Sequence, residues 1–328
     1  MTERITIHGG GIVGLCVATE LTARGVPVRI CEKGEAPGPQ ACSWWAAGML
    51  APFCEGESAE EPVVRLGQEA AGWWERHGVK VVRNGSLVVA LGRDRRELAR
   101  FARRTEGHRH VNAQDIADLE PDLGGRFGEA LMFDSEAHIT PRAALAQLWD
   151  GLQARDVEIS DDQPSGGRII DCRGLAAQDQ LTDLRGVKGE MVILRSTEVK
   201  LHRPVRLLHP RFPLYVVPRG DGVFMLGATQ IESGERTRPT VRSTLELLTA
   251  AFALHPAFGE AEILEIGVDA RPAFADNMPR IRHRGQTIFV NGMFRHGYLL
   301  APAMARQVAE FVCDDIKPEM MDEDHGEW

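Results

Sequence analysis

The sequence predicts an α/β protein: a Rossmann-like dinucleotide-binding domain, discontinuous along the chain, with an antiparallel β-rich α+β domain inserted into it. Three observations carry that expectation. Residues 4–32 read in turn as strand, glycine turn, helix and strand, which is one βαβ unit. Residues 186–231 break into short β-rich runs separated by Pro, Gly and Asp. Strand and helix patterns of the first kind then return after residue 270.

In the first unit Ile5 and Ile7 begin a buried strand, and Ile12, Leu15, Ala18 and Leu21 follow at helical spacing. Gly25 ends that helix, and Val26, Val28 and Ile30 form a strand closing at Glu32. A helix starts at Glu60–Pro62 and carries Trp73 and Trp74 toward its end. Residues 93–104 (RDRRELARFARR) place Leu98 and Phe101 on one side, so their arginines read as a solvated helix face. Thr140–Pro141 caps a helix continued by Leu145, Leu148 and Leu152, and RIIDC at 168–172 reads as a short parallel strand. The antiparallel set is GEMVILRS, PVRLLHP, PLYVVPRG and GVFMLGATQ, followed by the helix VRSTLELLTAAFALHP and the returning strand EILEIGVDARP. TIFVNG is the last expected strand, the final helix is expected to start near Pro302, and the polar tail after Pro318 is expected to be mobile. The expected domains are residues 1–77, 132–180 and 270–328 for the nucleotide, and 78–131 and 181–269 for the substrate. An insertion of this kind makes a cleft, which is where small-molecule sites prefer to form.

Composition narrows the function. A chain of 328 residues has room for two domains, and 43% apolar with 26% charged residues is ordinary for a globular protein. A net charge of -9 argues against nucleic acid, whose phosphates need a clustered positive surface. No apolar run approaches the roughly 20 residues of a membrane span, and no basic-plus-apolar leader precedes the first strand, so the cytoplasm is expected. The six cysteines show no CxxC spacing, which argues against a zinc site and against a disulfide framework.

Gly9, Gly11 and Gly14 spell G-x-G-x-x-G between strand and helix. The first glycine allows the tight turn, the second lets a pyrophosphate approach the backbone, and the third permits close helix–strand packing. The helix start at Ile12 and Val13 then favours phosphate through its free N–H groups and dipole. Glu32, with Lys33 beside it, stands where a carboxylate accepts hydrogen bonds from ribose hydroxyls, which argues against NADP. The loop does not separate FAD from NAD.

Beyond the loop the chain resembles the glycine oxidase branch of the D-amino acid oxidase family, the branch serving thiazole formation in thiamine biosynthesis. The resemblance runs through HGGGIVG (8–14), SWWAAGMLAP (43–52), LEPDL (119–123), HITP (138–141), VKGEM (187–191), YVVPRGDGVFMLGAT (215–229), ARP (270–272) and NGMFRHGYLLAPA (291–303). It implies FAD as cofactor. It implies that Ala46, Ala47, Gly48 and Met49 run beside the isoalloxazine, with Cys42 and Ser43 touching the cofactor just upstream. A second flavin-contacting loop is implied over Met293, Phe294, Arg295, His296, Gly297, Tyr298 and Leu299, and a helix start beyond it would stabilise a reduced, anionic ring.

By the same resemblance Arg271 and Arg295 hold the substrate carboxylate, a task suited to a planar guanidinium fork. Tyr215 borders the ligand, with a core-edge tyrosine as the alternative, and Tyr298 is a further candidate for the pocket wall. His296 is either an acid–base group or, as preferred here, a neutral histidine that fixes the loop. The implied chemistry is hydride transfer from Cα of a small amino acid, glycine first, to flavin N5. The imine then hydrolyses to glyoxylate and ammonia, and O2 is reduced to hydrogen peroxide. Oxidation of sarcosine, D-alanine or proline, or modification of a partner protein, are the alternatives. The implied assembly is a homo-oligomer.

Two features depart from the family pattern. After the strand at 168–172 the chain reads DCRGLAA, which leaves Arg173 on the flavin or adenine side without a role, and the stretch from Val157 to Arg168 is short. No cysteine matches the covalent flavin attachment of sarcosine oxidases, so the FAD is expected to be non-covalent.

Overall fold

The computed structural model describes residues 4–162, 166–209 and 213–325. Residues 163–165 of the short stretch, Pro210 of the PVRLLHP run and the last three residues of the tail lie outside them.

A first sheet of seven strands has the order Met321–His325, Arg280–Arg284, Thr287–Asn291, Ile169–Asp171, Ile5–His8, Val28–Cys31, Glu158–Ser160. All its pairings are parallel except Arg280–Arg284 with Thr287–Asn291. Parallel strands need both faces covered, and helix Ile12–Ala23 packs against helices Pro141–Gln153 and Gly297–Asp314. Ile7, Leu15, Leu21, Ile30, Trp74 and Ile170 anchor the core between them. Helix Ile12–Ala23 ends as expected, with Gly25 at φ +77° and the Val26 N–H bonded to the Leu21 carbonyl at 3.0 Å.

The second sheet has nine strands, centred on Arg185–Arg195. That strand pairs with Glu262–Ala273 from Arg185↔Ala273 to Arg195↔Glu262, with a register shift between Ile193 and Leu194, and beyond its far end follow Val223–Gly227, Leu214–Gly220, Val205–Leu208, Ser86–Ala90, Glu129–Phe133 and Arg109–Asn112. Its core is separate and holds Leu87, Ile116, Leu123, Val192, Leu226 and Leu254. The expected antiparallel character holds with one exception: Val205–Leu208 runs parallel to Ser86–Ala90, which arrives from early in the chain.

Three expectations change, and one strand is new. The tail after Pro318 is not loose, because Met321–His325 adds a strand beside Arg280–Arg284 and pairs Asp322 and Glu323 with Arg282 and Arg284. Charge pairing supplies what apolar periodicity lacked. The final helix begins at Gly297, and Pro302 lies inside it. The proline has no N–H for the Tyr298 carbonyl, and the buried Trp74 indole donates to that carbonyl instead at 3.0 Å. The expected single helix from residue 60 is two, Glu61–Gly67 and Ala70–Arg76, with Trp73 and Trp74 in the second. The strand Arg280–Arg284 (RIRHR) went unread because its alternate positions are charged.

Candidate active site

Gly9 has φ +99°, and a Cβ there would stand 2.8 Å from the Cys172 carbonyl oxygen. A Cβ on Gly14 would meet the Gly9 oxygen at 1.9 Å, so only glycine lets helix Ile12–Ala23 lie against the turn. Gly11 is the N-cap, and the first intrahelical bond runs from the Leu15 N–H to its carbonyl. The N–H groups ahead of Leu15 therefore have no acceptor within the helix. The Glu32 carboxylate accepts the Gly10 N–H at 2.6 Å and the Lys33 N–H at 3.0 Å. Close to Gly11, the Ser43 hydroxyl is buried with no hydrogen-bond partner. Free helix N–H groups and an unpartnered hydroxyl form the donor set a pyrophosphate needs.

These groups open on a cavity of about 720 Å³. Its wall includes Gly9, Gly11, Ile12, Val13, Glu32, Lys33, Cys42, Ser43, Ala46–Met49 and Met293–Leu299, together with Tyr215 and Arg271. Gly14 alone of the expected cofactor residues is absent from the wall, being occupied in packing.

Buried contacts fix both wall segments. The Arg219 guanidinium donates to the carbonyls of Ile139 at 2.9 Å and Ala47 at 2.5 Å, with Ala46 at 3.4 Å. Burial lowers its pKa to about 10, so it stays a cation at neutral pH. Gly48 needs its positive φ of +70°, and a Cβ there would lie 2.4 Å from the Ile139 oxygen. The Tyr298 hydroxyl donates to the Ser43 carbonyl at 2.9 Å, tying the second segment to the first. It lines the wall, but its polar end is already engaged. His296 immediately precedes the helix at Gly297, and burial lowers its pKa to about 4.

One end of the cavity collects charge. Arg271 lies on strand Glu262–Ala273 and donates to the Thr229 carbonyl at 3.1 Å. Its guanidinium rests over Gly189, where a Cβ would come within 2.2 Å. No carboxylate among the described residues lies within ion-pair distance of it, and burial lowers its pKa. Tyr215 occupies space left by Gly227, where a Cβ would lie 2.6 Å from the phenol oxygen. Arg295 is differently placed. Its Nε is 2.8 Å from Glu55 Oε2, though poorly aligned for a hydrogen bond, and its Nη2 donates to the Ser58 hydroxyl at 2.5 Å. Arg206 pairs with the other Glu55 oxygen at 3.0 Å. Burial acts to raise the Glu55 pKa, but Arg295, Arg206 and His296 outweigh it and hold the carboxyl well below its usual range. Arg173 also reaches the wall, clamped by Asp171 at 2.7 Å and Asp179 at 2.9 Å.

Arg206, Glu55, Arg219, Gly189 and Gly227 did not emerge from the sequence. A signal for Arg206 existed: its neighbours Val205 and Leu207 belong to the opposite face of the strand, and an arginine in mid-sheet is a charge that needs a buried partner.

Comparison with known proteins agrees with this geometry. The model of the FAD dependent oxidoreductase family matches residues 4–311. A Rhizobium etli protein, provisionally named a thiamine biosynthesis oxidoreductase, is 51% identical over 312 residues, covering 93% of this chain and 95% of its own. The glycine oxidase of Pseudomonas aeruginosa is 26% identical over 95% of each chain. Among solved structures, iminodiacetate oxidase from Chelativorans sp. BNC1 shares the fold with a TM-score of 0.83 at 22% identity, covering 98% of this chain and 99% of the other. A match across nearly the full length, on a chain whose glycine loop, free helix N–H groups and unpaired Ser43 suit a dinucleotide, makes this protein a member of the FAD dependent oxidoreductase family.

Proposed function

We propose that the protein oxidises the amine of a small amino acid, glycine first, with O2 as acceptor, and that it serves thiazole formation in thiamine biosynthesis. The observation that carries this reading is Arg271, a guanidinium in the cavity wall with no carboxylate partner among the described residues, beside the Tyr215 phenol. The relatives named for thiamine biosynthesis and for glycine oxidation support the choice of substrate.

FAD supplies the two-electron acceptor when bound. The chain's own residues bind and orient. Arg271 takes the substrate carboxylate through parallel charge-assisted hydrogen bonds, its orientation preset by the Thr229 carbonyl and the flat floor at Gly189. The Tyr215 hydroxyl borders the same carboxylate. Arg219 and Tyr298 hold the Ala46–Met49 and Met293–Leu299 walls rigid, so the amine and Cα meet a fixed surface. His296, neutral at pH 7, holds the second wall through its backbone, whose carbonyl accepts the Leu300 N–H at 2.8 Å, and places no positive charge beside the substrate amine. Arg295 acts mainly on the wall, since Glu55 and Ser58 already hold it.

On this reading residues 1–77, 132–180 and 270–328 carry the cofactor, and 78–131 and 181–269 the substrate side, although Arg271 itself sits on a strand of the second sheet. The six thiols are all free, which supports a reducing, cytoplasmic address, and the expected assembly is a homo-oligomer. Among the described residues no helix is long and apolar enough to cross a membrane.

Anaerobic addition of glycine to the purified holoprotein tests the reading. Bleaching of the visible flavin absorbance is expected. Bleaching by sarcosine, D-alanine or proline but not glycine would transfer the function to another small amine, and no bleaching by any of them would remove the oxidase reading altogether.

A further inference from the structure

At the charged end of the cavity the guanidiniums of Arg206, Arg271 and Arg295 surround the Glu55 carboxylate, and the Arg236–Asp269 ion pair lies further along the wall. Glu55 engages two of them, with 3.0 Å to Arg206 and 2.8 Å to Arg295. Arg271 is left for a ligand. The carboxylate cannot easily swing away. It ends the short helix Pro52–Glu55, whose Cys54 N–H is held by the buried Glu136 at 2.8 Å. The cluster is tightly drawn: Arg295 Nε lies 2.8 Å and His296 Nδ1 3.4 Å from Glu55 Oε2, and Arg206 Nε is buried without a hydrogen-bond partner. Glu55 is the carboxylate that pairs with both guanidiniums.

We infer that Glu55 is a specificity-determining residue, a built-in carboxylate that occupies Arg206 and Arg295 and so keeps out amino acids bearing a second carboxylate. With Glu55 in place, a second carboxylate meets a fixed negative charge at close range. With that charge removed, Arg206 and Arg295 stay where they are, the latter through Ser58, and offer a second anion site next to Arg271. The inference rests on the proposed function, and names iminodiacetate as the excluded class. Its oxidation is the same chemistry: a hydride leaves Cα, a C=N bond forms, and water cleaves it to glyoxylate and glycine while O2 becomes hydrogen peroxide.

The test is Glu55→Gln, with Glu55→Asp as the variant that restores the charge. In Glu55→Gln the ratio of kcat/KM for iminodiacetate to that for glycine should rise about tenfold or more, and in Glu55→Asp it should return toward wild type. Calorimetric binding to the holoprotein gives a readout independent of turnover. Wild type should bind malonate no more tightly than acetate, and Glu55→Gln should favour malonate by about tenfold. Unchanged ratios in a Glu55→Gln protein that retains FAD would overturn the inference. If that variant does not fold, wild type decides alone, because a tenfold preference for malonate there would equally overturn it. A wild-type flavin that glycine fails to reduce counts against the proposed function instead, while the malonate-to-acetate comparison still judges Glu55.

Discussion

Arg271 shows how far a single residue could be read ahead of the fold. Its place in the ARP segment pointed to carboxylate binding, and the structure puts it in the cavity wall, bonded to the Thr229 carbonyl and without a carboxylate of the described residues in ion-pair distance. The resemblance treated Arg295 as its equal, yet only coordinates could show Glu55 and Ser58 reaching it from another segment. Arg271→Ala should therefore raise KM for the amino acid by roughly ten- to a hundredfold, the worth of a lost charge-assisted pair, and should leave FAD bound. Arg271→Lys should recover only part of the loss, since an ammonium has no fork. Steady-state kinetics with a flavin spectrum checks both, and loss of FAD with unchanged KM would refute the role. Glu136 yields a prediction of another kind. Fully buried, it has a pKa raised from 4.5 to about 7 by desolvation, which the bonds from Ser86 and Cys54 only partly offset. The folded state thus holds a proton that the unfolded state has released between pH 4.5 and 7. Stability from this group is full below that window and falls as pH rises through it, by up to roughly 3 kcal/mol. Glu136→Gln should flatten the decline in Tm between pH 5 and pH 8; a slope as steep as wild type would show that the group ionises normally.

At the scale of elements, the sequence disclosed those with apolar periodicity and hid those held by charge or by borrowed hydrogen bonds. Helix Ile12–Ala23 could be read because Ile12, Leu15, Ala18 and Leu21 recur at helical spacing in an almost wholly buried segment and Gly25 stops it. The strands Arg280–Arg284 and Met321–His325 could not, because Arg282 and Arg284 face Asp322 and Glu323 in place of an apolar layer. Helix Gly297–Asp314 was misread by five residues because proline is a common first-turn residue. What lets Pro302 lie inside is the Trp74 indole on the Tyr298 carbonyl. Trp74→Phe should strand that carbonyl and cost about 1–3 kcal/mol beyond the lost packing. Pro302→Ala restores an N–H that reaches the same acceptor, so the indole should matter less in its presence. A double-mutant cycle of thermal or denaturant unfolding measures the coupling, and strictly additive effects would mean that the two groups do not share the carbonyl.

Among the described residues two large sheets with separate cores, joined by a two-stranded sheet of Met49–Leu50 and Ala137–His138, meet around the cavity. The first sheet's segments supply Gly9, Gly11, Ile12, Val13 and Glu32, and the second sheet supplies Gly189, Arg206, Tyr215 and Arg271. This division was legible, because a glycine loop and an antiparallel run are local patterns. Where the two halves converge was not, because Gly189 and Gly227 matter only through the side chains they admit from other strands. A cofactor seated there bridges both cores, so it should stabilise the molecule as a unit. At a free FAD concentration of about a hundred times Kd, linkage adds roughly 2.7 kcal/mol, a rise in Tm of about 4 °C for a protein of this size. That gain should depend on FAD concentration, as a reversible ligand requires and a covalent one forbids. The thiols agree with reversibility. Cys31, Cys42 and Cys172 reach the cavity wall, but burial raises the Cys31 pKa, raises that of Cys42 to about 11 and pushes Cys172 well above the usual thiol value. None is then a thiolate ready to attack a flavin. Acid precipitation of the holoprotein should leave a yellow supernatant and a colourless pellet, and a yellow pellet would show that one of these buried sulfurs has formed a bond to the cofactor.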